Sequence, residues 1–532
     1  MEVLFLTALL PCFIYYLVKG NKTLHMLQQN WYNEGNRYLR WMLQNKYKVL
    51  INPDMFFVIM LVGIFLTTNT ILVINILFYV IVGLMFIKSR KNEQIKKPLA
   101  FTKRVKRLMI TESLIFIIPA IIMAFNVNEQ NLWLFLVIIG ALPYLSYIVL
   151  FIANIINKPV EKQVYRHFMN NAKKKLKNMN NLGVIGITGS YGKTSSKNIL
   201  NDILSSKFNV CPTPKNFNTP NGLMITINNH LEKFDDLMIA EMGAFKCGEI
   251  QELCDFVHPK YGILTKIGTA HMESFGSQEN IQNGKFELIE NLPKDGLAVL
   301  NRDDELQVNY NLKNKKIKTL WVGINNKSAD INATNIKQTY KGMTFDVTFK
   351  NLDNEKVTFE TKLLGTANVY NILAGLALGS HLKINIDQLK QGVKRVRSIE
   401  HRLELKKYGD INIIDDAYNS NPVGSKMALE VLNLMPGKKI IVTPGMIELG
   451  EEQYKLNNEF GKQMAEVCDE VILVGEEQTK PILDGLKEKK FKDKNIHIIN
   501  DVKIAFKLMH KLKGDETYVL LENDLPDIFN EK

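Results

Sequence analysis

Residues 3–18 are apolar and uncharged, and residues 55–87 give 33 residues without a charge. Residues 113–125 and 132–155 form a further apolar pair, separated by a short polar stretch. One crossing of a bilayer needs about 20 apolar residues. The run 55–87 is therefore long for one helix and short for two. Thr67, Thr68, Asn69 and Thr70 at its middle favour a hairpin of two short helices over one tilted helix. From residue 183 the pattern changes. Short apolar strands such as Val184–Ile187, Leu237–Ala240 and Leu297–Leu300 alternate with amphipathic helical stretches, as in a doubly wound α/β domain. Residues 317–362 alternate with period two and read as an antiparallel appendage. Residues 398–532 alternate strand and helix again. The expected organisation is a helical membrane domain (1–155, about five spans), a basic linker (156–180), a central α/β domain (181–397) and a smaller Rossmann-like α/β domain (398–532).

Charge sharpens this division. The chain of 532 residues has a net charge of +13, which alone would suit a nucleic-acid binder. Residues 1–158, however, hold 16 Lys/Arg against 6 Asp/Glu, and the rest is nearly balanced at 51 against 48. The excess follows the apolar runs, which argues for basic cytoplasmic loops and against a phosphate-binding groove. Segments 19–54 and 88–107 carry the cations, whereas 67–70 and 126–131 carry none. This places the N-terminus outside and everything after residue 155 in the cytoplasm of a bacterial-type cell, with the lipid bilayer as a partner and no nucleic acid. The first segment lacks a basic n-region and a small-residue cleavage site, so it reads as a span rather than a signal peptide. The linker reads as a solvated helix, with a helix lying on anionic lipid as the alternative. Five cysteines without a C-x-x-C pair exclude a disulfide framework and a zinc ribbon.

The strand Val184–Ile187 leads into Thr188-Gly189-Ser190-Tyr191-Gly192-Lys193-Thr194 and then a helical stretch. Strand, glycine-rich loop, Lys-Thr and helix are the parts of a phosphate cradle, in which backbone N–H groups and the helix N-terminus receive anions. Lys193 is placed to reach the outer phosphates of ATP and the Thr194 hydroxyl to meet magnesium. Ile187 stands where a strict Walker A motif has its first glycine.

This variant loop resembles that of the Mur ligases, the ATP-dependent amide-forming enzymes of peptidoglycan precursor synthesis. Further segments match in order: Asn216-Phe217-Asn218 the acceptor-side loop, Glu241 the end of a magnesium-binding strand, and His271 a metal-binding histidine. Lys285-Phe286-Glu287 resembles the family's K-x-E, whose lysine is carbamylated. Asn301-Arg302-Asp303, Asn371, Arg402 and Asp415-Asp416-Ala417-Tyr418-Asn419-Ser420-Asn421-Pro422 follow. The last string, with Glu448-Leu449-Gly450, is most similar to the branch that adds D-alanyl-D-alanine to a muramoyl-tripeptide. Ala367 and Asn457 stand where the family usually or often has histidine. Thr443-Pro444-Gly445-Met446 and Leu521-Glu522-Asn523-Asp524 also depart from the family pattern, the latter standing where that branch usually ends in K-G-S. The family's UDP-sugar domain is replaced by the apolar N-terminal third.

The resemblance implies ATP and magnesium as cofactors and an acyl phosphate route. Its catalytic residues fall on Lys193, Glu241, His271 and Lys285. The nucleotide contacts fall on Thr188, Gly189, Ser190, Gly192, Lys193, Thr194, Asn301, Asn371, Arg402 and Asp416. Metal ligands fall on Thr194, Glu241, His271 and, if carbamylated, Lys285, and acceptor contacts on Asn216 and Asn218. His401 reads as structural and Tyr418 as a packing residue. The expected activity joins an amino acid or dipeptide amine to a small-molecule or lipid-linked cell-envelope precursor. A ligase on a polyglutamate-type polymer is the first alternative. A transporter or sensor with a regulatory nucleotide domain is the second; the spans hold no evident buried ionisable series, Glu112 lying near an end, which argues against it.

Overall fold

The computed structural model describes residues 1–63, 68–91, 98–418, 420–447 and 449–524. Thr67, Asn419 and Glu448 lie outside the described residues. The chain forms two compact units, residues 1–167 and 168–532.

The first unit is helical: α1 (Glu2–Gln29), α2 (Arg37–Gln44), α3 (Lys46–Leu50), α4 (Pro53–Gly63), α5 (Thr68–Lys91), α6 (Lys103–Ala124), α7 (Leu132–Tyr144) and α8 (Ser146–Lys177), whose end runs into the second unit. Side-chain contacts fix the directions. Asn75 Nδ2 donates to the Ala8 carbonyl and Tyr15 meets Phe86, so α1 and α5 run the same way. Phe5 meets Phe135 and Lys19 Nζ donates to the Pro143 carbonyl, so α7 joins them. Phe13 meets Phe116 while Tyr16 donates to the Glu112 carbonyl, so α6 runs oppositely. Asp54 binds Lys19 while Val58 lies beside Gly140, which sets α4 antiparallel to α7. Five helices thus alternate in direction. Three of them, α1, α5 and α6, are long and apolar enough to cross a membrane, or four spans result if α7 and α8 count as one bent pair. At about 1.5 Å per residue, α4 and α7 each reach only about 16–20 Å. The two short helices expected within 55–87 are therefore unequal: α4 has 11 residues and α5 has 24.

The expectation that these helices lack buried ionisable groups is not met. Lys19 and Asp54, which read as loop charges, are 6% and 0% exposed and form an ion pair; Glu112 is 2% exposed. The pair ties α1, α4 and the end of α7 together, because Tyr15 also donates to Asp54 and the Pro143 carbonyl accepts from Lys19. A lone buried charge is far costlier than a paired one.

The second unit holds two sheets. Among the described residues the first has nine strands in the order β2-β3-β1-β4-β5-β6-β7-β8-β9. They are β1 (Gly183–Thr188), β2 (Val210–Pro212), β3 (Leu237–Glu241), β4 (Tyr261–Leu264), β5 (Leu297–Asn301), β6 (Lys318–Gly323), β7 (Ile331–Thr339), β8 (Gly342–Phe349) and β9 (Glu355–Thr361). β1, β3, β4 and β5 are buried almost throughout, as parallel strands covered on both faces should be. The period-two stretch is not a separate appendage: β6 pairs in parallel with β5 and β7, and only β7–β9 are antiparallel, extending the same sheet. The second sheet has the order β10-β11-β15-β12-β13-β14, formed by β10 (Glu404–Tyr408), β11 (Ile411–Asp416), β12 (Lys438–Thr443), β13 (Glu470–Val474), β14 (Ile496–Ile499) and β15 (Thr517–Glu522).

Removing one partner of the Lys19–Asp54 pair leaves the other uncompensated, at a cost of about 3 kcal/mol or more. Lys19→Met is expected to lower the thermal midpoint of the first unit in detergent, and Lys19→Met/Asp54→Leu to recover most of the loss. A double variant as unstable as the single one would show that the pair does not act as a unit.

Candidate active site

β1 and β3 are adjacent, and their register sets Ile187 opposite Glu241. The loop that leaves β1 therefore starts beside the carboxylate that ends β3. Ile187 is a fully buried strand residue here, so the position of the missing Walker glycine belongs to the strand and the loop is correspondingly shorter. Gly189 has φ +150°, and a Cβ there would fall 1.9 Å from Thr265 Oγ1; Gly192 has φ +82° and precedes α9 (Lys193–Leu204). Thr188 is buried and donates to the Met242 carbonyl, and Ser190 donates to the Gly268 carbonyl. Lys193 Nζ folds back onto the carbonyls of Gly189 (2.6 Å) and Ser190 (3.2 Å). Burial, with Arg402 nearby, brings its pKa down to about 8.

Glu241 is 1% exposed and is the meeting point of the site. Its Oε1 accepts from Thr194 Oγ1 and from Asn218 Nδ2, both at 3.2 Å. Its Oε2 accepts from Lys197 Nζ at 3.0 Å, and Lys197 also donates to the Lys215 carbonyl. The adjoining oxygens of Thr194 and Glu241 fit a magnesium ion, a hard cation that takes carboxylate and hydroxyl oxygens. His271 lies close enough to Lys193 and Lys285 to feel both charges, and burial plus those cations lowers it to about 4, leaving a neutral imidazole at pH 7. Its ring packs against Phe245, 4.6 Å between centroids. Lys285 is 1% exposed, donates a 3.3 Å bond to the Ala244 carbonyl, and lies 5.2 Å from the Phe275 ring. Burial first, then Lys193, brings it down to about 7. A bare ammonium at Lys285 would not bind a metal; only its neutral or carbamylated form suits that role.

A cleft of about 500 Å³ opens beside the loop, lined by Gly192, Asn301, Asn371, Arg402 and Asp416 among others. Five of the ten expected nucleotide contacts thus line it, whereas Thr188, Gly189, Ser190, Lys193 and Thr194 are not among its lining residues. Asn371 Oδ1 accepts from Ser196 Oγ at 2.6 Å. Asp416 and Glu522 sit in register on adjacent strands β11 and β15. Burial raises Asp416 to about 6, although Arg402 and the hydrogen bond with Glu522 pull it down, and burial together with the facing Asp416 raises Glu522 well above the usual carboxylate range. Ser420 donates to Glu522 at 2.6 Å.

Sequence reasoning missed Lys197 and misjudged Tyr418 and Asp303. Lys197 was legible only as the residue one helical turn beyond Lys193, a spacing that puts both on one face of α9. Tyr418 is more than packing: it stacks under the Arg402 guanidinium at 4.7 Å and its hydroxyl is turned toward Asn216. Asp303 serves mainly its own loop, accepting from the backbone N–H groups of Ile324, Asn325 and Asn326 and from Tyr370. His401 Nδ1 is bonded to Asp415 at 2.8 Å.

Because Lys197 joins Glu241 to the acceptor-side loop, Lys197→Met is expected to speed amide hydrogen exchange at residues 214–218 by tenfold or more in the free protein. Lys197→Arg should restore most of the protection. Unchanged exchange in the Met variant would remove the positioning role.

Residues 187–379 match the Mur ligase middle domain and residues 401–522 the Mur ligase glutamate ligase domain. A UDP-N-acetylmuramoyl-tripeptide–D-alanyl-D-alanine ligase of Bacillus subtilis is 33% identical over 281 residues, which are 52% of this chain and 59% of the relative. The chain spans about three fifths of the length of the curated relatives it matches. The crystal structure of the MurF ligase of Thermotoga maritima in complex with ADP is 27% identical, covers 67% of this chain and 80% of its own, and has a TM-score of 0.58. MurF of Acinetobacter baumannii shares the fold with a TM-score of 0.60 at 23% identity, over 68% of this chain and 77% of its own. With two domain matches in order and the cleft residues brought together between them, the chain belongs to the Mur ligase family, of which it carries the middle and glutamate ligase domains.

Proposed function

We propose that the chain is an ATP-dependent amide ligase of cell-envelope synthesis, held in a bacterial-type membrane by its first unit with the second unit in the cytoplasm. The observation that carries the reading is the charge arrangement around Glu241. Lys193, Lys197 and Arg402 gather near this one carboxylate, with Lys285 bearing on Lys193. Such an excess of cations on a glycine loop at a helix N-terminus is suited to a polyphosphate.

In this reading the acceptor carboxylate attacks the γ-phosphorus of ATP, giving an acyl phosphate and ADP. The amine then attacks the acyl carbon and inorganic phosphate leaves. The protein contributes positioning and charge compensation rather than covalent chemistry. Lys193 swings from the Gly189 and Ser190 carbonyls to the phosphates. Asn301, Asn371, Arg402 and Asp416 hold the nucleotide in the cleft. Asn218 fixes Glu241 from the acceptor side, and Asn216 with Tyr418 orders the same loop. Thr194 and Glu241 would hold magnesium, with His271 and a carbamylated Lys285 for a second ion. Bound magnesium supplies neutralisation of the phosphate charge.

The acceptor we favour is a muramoyl-peptide precursor presented at the membrane, and the amine D-alanyl-D-alanine or one like it. The apolar helices of the first unit and the basic loops between them support a membrane-side acceptor. Glu522 supports a second reading in which the chemistry is kept and the amine differs. It sets a buried carboxyl beside Asp416 where the D-alanyl-D-alanine-adding branch usually ends in K-G-S.

Purified protein in detergent, given ATP, magnesium and D-alanyl-D-alanine, is expected to release phosphate with the lipid-linked muramoyl-tripeptide. Lys193→Ala should lower turnover by about 100-fold or more. Equal turnover with the soluble UDP-linked precursor would overturn lipid presentation. Silence with both, in protein that still binds ATP, would point to another acceptor or amine.

Carbamylation needs the neutral amine, and with Lys285 near 7 the neutral fraction grows as pH rises through that value. Carbon from labelled bicarbonate is therefore expected in a carbamate signal at pH 8, weaker at pH 6 and absent in Lys285→Met. No signal at pH 8 would leave Lys285 unmodified.

A further inference from the structure

The membrane reading leaves open what α8 does after α7 ends. α7 runs alongside α1, from Phe135 beside Phe5 to Pro143 beside Lys19. α8 then turns away from α7 by 79°. A helix nearly perpendicular to α7, and hence to its neighbour α1, cannot share their direction across a bilayer.

The inner side of α8 packs Leu150 and Ala153 into an apolar cluster of the first unit and also carries polar groups bonded to that unit. Asn154 Nδ2 donates to the Tyr32 carbonyl and Asn157 Nδ2 to Thr111 Oγ1. Glu161 takes a two-pronged bond from Arg107, both arms 2.7 Å. The outer side carries Ile148, Ile152, Ile155, Ile156 and Val160, which are 36–54% exposed. Aliphatic groups at this spacing form one stripe on a helix. Beyond the stripe stand Lys158, Lys162 and Arg166, all exposed. Glu161, the one acid between residues 146 and 166, is bonded to Arg107. The outer face therefore offers apolar groups and cations without an anion. That is the composition of a helix lying at the boundary of an anionic lipid surface. The neighbouring α2, held to the start of α8 by Tyr38 donating to the Tyr147 carbonyl, repeats it. It exposes Leu39 and Leu43 and continues to the exposed Tyr47, with Arg37 and Arg40 on the same short helix.

We propose that α8, from Ser146 to about residue 166, lies in the plane of the membrane. Its isoleucine stripe enters the acyl–headgroup boundary, and Lys158, Lys162 and Arg166 engage anionic phosphate headgroups. It is then an interfacial helix and not the second half of a bent span. This rests on the membrane reading above and extends it, because the linker expected to be solvated becomes a lipid-binding surface from its first turn.

Depth measurements by spin labelling test this on the full chain. Its native cysteines are changed to serine, and single labels are placed at residues 148, 152, 156 and 160, with one at Leu77 in α5 as a control. The protein is reconstituted into vesicles of phosphatidylcholine with 30% phosphatidylglycerol, and oxygen against nickel-chelate accessibility gives depth. Labels at 148, 152 and 156 are expected at one shallow depth, within about 3 Å, while Leu77 is deep. A depth that changes by about 12 Å between 148 and 156, at 1.5 Å per residue, would make α8 a span and overturn the proposal. A Leu77 label open to the nickel chelate would instead sink the membrane reading itself. In the Lys158→Gln/Lys162→Gln/Arg166→Gln variant, labels at 156 and 160 are expected to move outward in anionic vesicles to their position in pure phosphatidylcholine. Identical depths with and without the cations would overturn the headgroup contact.

Discussion

A buried carboxylate that must never be left alone organises the second unit. Glu241 is out of water at the end of a central strand, where an unpaired anion would cost several kcal/mol. It accepts from Thr194 on the phosphate-loop helix, from Asn218 on the acceptor-side loop and from Lys197 deeper in α9. Each partner is a separate piece of the chemistry, so the requirement to satisfy one anion fixes the spacing of all three. The backbone register of β1 against β3 makes this possible, since it delivers the loop and the carboxylate to the same edge of the sheet. The surplus of positive charge around it suits an anionic ligand of the kind proposed.

The first unit solves the opposite problem. Its outer surface is apolar, with many exposed Leu, Ile, Val and Phe side chains, and its buried Lys19–Asp54 pair holds helices together. The Lys19–Asp54 pair sits where α4 begins and α7 ends, and the Pro143 carbonyl takes another of the lysine's protons. The pair joins helices that sequence places 35 residues apart, and does so at the level where the helical direction changes. Placing a charge pair at such a corner ties the start of α4 and the end of α7 to the body of α1 with polar bonds that lipid cannot replace.

How much of this was legible in sequence follows from the range of the interactions. The phosphate loop, its flanking strand and helix, and the Asp415–Pro422 string are local, and each could be read from consecutive residues. The alternation of apolar runs likewise gave both α/β domains, although β6 was misassigned because alternation does not reveal its parallel neighbours. Lys197 lies in an otherwise plain helical stretch, and only the position of Glu241 on another strand shows what it does. Tyr418 looked like packing because its partners, Arg402 and Asn216, come from elements 16 and about 200 residues away. The Lys19–Asp54 pair was hidden for the same reason, and Thr68, Asn69 and Thr70, expected at a hairpin tip, instead open the longer helix α5.

The same long-range logic bears on the two carboxyls that close the cleft. Asp416 and Glu522 are brought together by strand register, not by sequence proximity, and two anions side by side in a dry place cannot both keep their charge. One of them must hold a proton, and Glu522, raised furthest by burial and by the neighbouring Asp416, is that group, while Asp416 lines the cleft. Arg402 acts on Lys193 and on Asp416 alike, so cations and this carboxyl meet within one site. A ligase of the proposed kind, which must order an anion and a nucleophile in sequence, would find a partner for each there.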